Sequence, residues 1–226
     1  MHKILVPLGI SEKTEGLLNY AIDLSKNFKS IIYLIGAYPT SSNLTSINNV
    51  KSRFANESKQ RVKSMVDNLN PNVSNINIMG SKGDFIDSTK KLNKSIGVDL
   101  IITAPLCNEI NDEVFLGPVA GSLIKRTNIP VLVAPYQKQF IPPKKMLLAF
   151  KLGEVKSIDT LKPLIQLKEE IKTLLKLLLV KIPGFADRNH KLDDFLMKRS
   201  EVLIYSEKQL YIKEFWSIFD QLTPIC

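Results

Sequence analysis

Residues Ile102 to Pro135, ITAPLCNEINDEVFLGPVAGSLIKRTNIPVLVAP, have the layout of a strand, a loop and a helix able to cradle phosphate. Such a loop relies on glycine, which tolerates positive φ and lets backbone N–H groups close on an anion. Glycine is missing from two places where the loop wants it, and Pro118 follows the glycine that remains, Gly117. Proline brings no N–H, yet it suits the first turn of a helix, so Gly117-Pro118 can start a helix without serving a ligand. The run reads as the shell of a nucleotide site. A rival reading keeps the site through GPVAGS, with Gly121 and Ser122 substituting in an altered phosphate loop.

Other chemistry is sparse. Cys107 lies in the same loop near a helix start that would lower a thiol pKa, which favours redox sensing. The plainer reading is a small thiol filling an emptied pocket. Glu109, Asp112 and Glu113 are metal-ligating types, but they read as a solvated acidic loop, and no metal is expected. His2 and His190 read as surface residues. Neither a Ser-Gly-Gly loop nor a His-x-Gly-His pair is present for adenylation, and no Gly-x-Ser-x-Gly elbow occurs. No catalytic residue is assigned; a non-catalytic protein is the leading reading, and the rival one allows at most weak ATPase activity.

The elements that must position the loop alternate between short apolar runs and segments of helical period, the pattern of a parallel sheet with crossover helices. KILVPL is the first strand, and Ser11 caps a helix whose buried stripe is Leu17, Leu18, Ala21, Ile22 and Phe28. Ser30 to Tyr38 is a second strand, apolar throughout as when both faces are covered. A helix carrying Phe54, Val62, Met65, Val66 and Leu69 leads to a third strand in VSNINIMG. A helix entered at Asp84, a strand from Val98 to Ala104, a short helix from Pro118 to Thr127 and a last strand in IPVLVAP complete five strands and four helices.

After the paired prolines Pro142 and Pro143, the opening pattern of basic residue, apolar strand, helix and apolar strand returns in KKMLLAFKLGEVKSIDTLKPLIQLKEEIKTLLKLLLV. The expected organisation is a domain over 1–137, a linker over 138–145 and an incomplete repeat over 146–226. Asp187 to Arg199 and Leu210 to Leu222 supply further helices of the repeat, with EVLIYS as its third strand. An incomplete repeat leaves the strand Met146 to Phe150 at an edge that something should cover.

Composition limits the functional classes. The 44% hydrophobic and 23% charged content is that of an ordinary globular chain. The net charge of +9 is spread evenly: 16 Lys/Arg against 11 Asp/Glu through Phe140, and 15 against 11 beyond it. Basic pairs such as Lys90-Lys91 have no aromatic residues interleaved for base stacking, so no nucleic-acid partner is expected. No apolar run reaches the roughly 18 residues of a membrane span. Two cysteines make no disulfide framework, and a cytoplasmic location is expected.

The segments KILVPLGIS, GDFIDSTKKLNKSIGVDLIITA and FLGPVAGSLIKRTNIPVLVAP resemble the universal stress protein family in its tandem form, and they cover essentially all of the first domain. The resemblance implies a doubly wound α/β fold of the adenine nucleotide alpha-hydrolase-like kind, with five parallel strands in the order 3-2-1-4-5 and a partial repeat of that unit. It implies dimerisation through the last strand. It also implies a phosphate motif of Gly-x2-Gly-x9-Gly-(Ser/Thr) after the fourth strand and an acidic residue after the first.

Measured against that motif, Ala104, Cys107, Gly117 and Pro118 hold its four positions, and Gly9, after Pro7 and Leu8, stands where the acid is expected. The repeat has Lys151 there, which offers only donors. The candidate pocket is therefore Pro7, Leu8, Gly9, Ala104, Cys107, Gly117, Pro118, Gly121 and Ser122, with its chemistry reduced. No cofactor is expected under this reading; ATP or AMP belongs to the rival one. The expected partners are a second copy of the chain and another protein.

Overall fold

The computed structural model describes residues 1–8, 13–36, 59–60, 62–68, 75–79, 85–106, 116–150, 157–180, 198, 200 and 202–206. The chain divides into two compact units, Met1–Ile141 and Pro142–Cys226.

In unit 1, β1 (Lys3–Leu8) is a run of apolar residues buried from Ile4 onwards, because it lies at the centre of the sheet with both faces covered. It is followed by α1 (Lys13–Phe28), β2 (Ile31–Gly36), helical residues 59–60 and 62–68 as the described part of α2, β3 (Ile76–Met79), α3 (Phe85–Ile96), β4 (Leu100–Thr103), α4 (Gly117–Arg126) and β5 (Val131–Val133). All pairings are parallel, and the order is β3-β2-β1-β4-β5. This is the order implied by the family resemblance.

Burial follows position in the sheet. All four residues of β4 are buried, whereas all three of β5, the edge strand, are half-buried. Helix α1 buries Leu17, Leu18, Ala21, Ile22, Leu24 and Phe28, a helical spacing that lays one face on the sheet. On the other layer, Phe85, Ile86 and Leu92 of α3 and Leu123 of α4 pack with Leu5, Ile35, Ile101 and Ile129.

Asp99 braces the amino ends of the two central strands. Its Oδ2 accepts the backbone N–H groups of His2 at 2.7 Å and Lys3 at 3.0 Å, while its own N–H donates to the Lys3 carbonyl at 2.9 Å. Lys3 Nζ also donates to the Ile96 carbonyl at the end of α3.

Unit 2 has a three-stranded parallel sheet, β6 (Lys145–Phe150), β7 (Leu174–Val180) and β8 (Val202–Ser206), in that order. A 3-10 turn, Ile158–Leu161, leads into α5 (Lys162–Ile171), with the Ser157 hydroxyl accepting the Asp159 N–H at 3.2 Å. Leu161, Ile165, Leu175 and Leu177 make a small core. Among the described residues β6 stands at one edge of this sheet.

Some boundaries differ from the sequence reading. Residues 138–141 of the stretch read as a linker belong to unit 1, because Phe140 is buried and packs against Tyr20. β4 stops at Thr103, and α4 begins at Gly117 and ends before Thr127. Ser11, Phe54, Leu69, Asp84 and the helices expected over 187–199, apart from Lys198 in a turn, and over 210–222 lie outside the described residues. No helix of the described residues is long and apolar enough to cross a membrane.

Candidate functional site

The site to be tested lies at the carboxyl ends of β1 and β4, neighbours at the centre of a parallel sheet, where crossover connections leave a crevice. The β1–β4 ladder pairs Ile4 with Leu100 and Leu5 with Ile101. Carrying that register forward puts Leu8 level with Ala104. Pro7, Leu8 and Thr103 are buried, and Ala104 is half-buried. Gly9 and Cys107 lie outside the described residues, as do Glu109, Asp112 and Glu113.

The two described arms of the loop meet. The first is Ala104-Pro105-Leu106, which leaves β4; the second is Leu116-Gly117-Pro118, which enters α4. A Cβ built on Gly117 would stand 2.7 Å from Leu106 Cβ and within 3.5 Å of its Cγ and Cδ1. The Leu106 side chain therefore lies against the bare face of Gly117. Gly117 also has φ of +66°, a left-handed conformation that favours glycine on backbone grounds alone. Its presence is explained by the chain path, with no anion needed.

Pro105 and Pro118 carry no N–H, so each arm loses one donor. No side chain caps α4, so the N–H groups of Gly117 and Val119 in its first turn have no partner within the helix. Gly121 and Ser122 are in the second turn of α4 rather than in a loop. Backbone N–H groups there bond carbonyls one turn back and are not offered to a ligand.

Lys13 supplies a cation at this end of the sheet. It opens α1, donates from Nζ to the Leu106 carbonyl, and holds Nζ 4.9 Å from the centroid of the Tyr136 ring, just after β5. Further along α1, Tyr20 meets Phe140 edge to face at 5.3 Å, and burial raises the Tyr20 pKa above the ordinary phenol value, so the hydroxyl stays neutral at physiological pH. No group of three or more His, Cys, Asp or Glu among the described residues could hold a metal ion.

The structure thus brings Pro7, Leu8, Ala104, Gly117 and Pro118 to one end of the sheet, and it has Gly121 and Ser122 in α4, within the helix read from the sequence. Sequence reasoning missed Pro105, Leu106 and Lys13. Pro105 was legible as a second residue without an N–H in the loop. Nothing in the local sequence ties Lys13 to a loop 93 residues away.

The comparisons with known proteins agree with this architecture. A family model described as the universal stress protein family matches residues 1–135. The chain belongs to the universal stress protein family.

A universal stress protein from Archaeoglobus fulgidus DSM 4304 is 17% identical, covers 90% of this chain and 77% of its own, and has a TM-score of 0.62. Universal stress protein UspA from Lactobacillus plantarum is 15% identical, with coverage of 58% and 96% and a TM-score of 0.47. A universal stress protein from Archaeoglobus fulgidus in complex with dAMP is 14% identical, with coverage of 59% and 97% and a TM-score of 0.40. At these identities the likeness extends to the fold alone. Among curated proteins, none matches this chain.

Proposed function

We propose that this universal stress protein acts without catalysis and without conventional ATP binding, through contacts with other proteins and with a second copy of itself in the cytoplasm. The observation that carries this reading is the contact of Leu106 with Gly117, which closes the two arms of the loop on each other where phosphate would need open backbone. Pro105 and Pro118 remove an N–H from each arm, and Gly9 removes a side-chain acceptor for an adenine amino group. If each lost contact costs about 1–3 kcal/mol, a micromolar site falls to millimolar or weaker.

The rival reading is an adenine-nucleotide module of the AMP or ATP type with at most weak ATPase activity. Lys13 favours it, since its ammonium reaches the loop and would attract phosphate. Denaturing the freshly purified protein and analysing the released small molecules distinguishes the two. The proposal expects no stoichiometric adenine nucleotide; about one per chain overturns it.

A further inference from the structure

Lys13 has a second role that does not depend on whether the loop takes a nucleotide. Past the ladder bond from the Ala134 N–H to the Thr103 carbonyl at 2.8 Å, residues 135–140 run along one face of α1. That face carries Lys13, Gly16 and Tyr20, spaced three and four residues apart. The Lys13 ammonium lies over the Tyr136 ring. The Tyr136 carbonyl is pressed so closely on Gly16 that a Cβ there would collide with it. Tyr20 receives Phe140 edge to face.

We propose that residues 135–140 are a releasable strap on α1, and that Lys13 is a pin shared between this strap and the loop after β4. The strap is held by few contacts. Pro135, Gln137, Lys138 and Gln139 are exposed, Ile141 is 80% exposed, and the Lys138 N–H reaches the Pro135 carbonyl only at 3.4 Å. Segments with few backbone bonds and one anchoring face open locally at low cost.

The shared pin links the two ends of unit 1's chemistry. Because Nζ touches Leu106 on one side and Tyr136 on the other, whatever draws the ammonium away loosens both segments together, while Gly16 and Tyr20 still hold the strap and Gly117 still holds Leu106.

Limited chymotrypsin digestion of the full chain tests this. In Lys13→Met, which keeps an apolar stem and removes the charge, cleavage after Tyr136 and after Leu106 is expected to speed up together about tenfold, as for loss of one exposed cation–π contact and one hydrogen bond. Cleavage in α3, at Phe85 and Leu92, should keep its wild-type rate, and Lys13→Arg should restore protection. Gly16→Ala should speed the strap and leave Leu106 unchanged. An unchanged strap in Lys13→Met, an unchanged Leu106, or equal acceleration across α3 overturns the proposal.

Discussion

Gly117 joins two demands that can be separated by experiment. A glycine in a phosphate motif serves the ligand, whereas Gly117 here serves the chain, with φ at +66° and Leu106 packed on its open side. Alanine at this position pays the left-handed penalty of about 1–2 kcal/mol and must also displace Leu106. Gly117→Ala is therefore expected to lower the stability of unit 1 by about 1–3 kcal/mol in urea denaturation followed by circular dichroism. A variant as stable as the wild type contradicts this account of the residue. The departures at Ala104 and Pro118 were legible in the sequence because each is a plain change of donor or volume. The contact of Leu106 with Gly117 was not, because it depends on the direction of the Leu106 side chain, which no spacing encodes.

At the scale of elements, the apolar strands were legible for a simple reason: a central parallel strand is covered on both faces and cannot alternate. KILVPL and LIIT show this directly. Strand ends and helix starts were less legible, since β4 stops at Thr103 although apolar residues continue to Ala104 and Pro105. Long-range braces were invisible. Asp99 follows α3 as an ordinary loop acid, yet it receives two backbone N–H groups from the start of β1, 96 and 97 residues away. Asp99→Ala leaves both donors without this acceptor and is expected to cost about 1–2 kcal/mol of stability, read from the denaturation midpoint. A shift within error would mean that water replaces the carboxylate at no cost.

For the whole molecule, two units follow one another, and the sheet of unit 1 ends in a short strand. β5 pairs β4 on one side and is half-buried at Val131, Leu132 and Val133, as an edge strand awaiting a neighbour would be. A homodimer through this edge gives about twice the 25.5 kDa chain mass in light scattering; a clean monomer at high concentration removes it. The strands Lys145–Phe150 and Leu174–Val180 of unit 2 were legible as apolar runs after Pro143. The seating of Phe140 on α1 was not, because paired prolines mark a break in helix and not the end of packing.

Titration calorimetry of ATP into the full chain tests the central claim most directly. The proposed loss of ATP binding predicts a dissociation constant in the millimolar range or no measurable heat; a micromolar constant with one site per chain contradicts it.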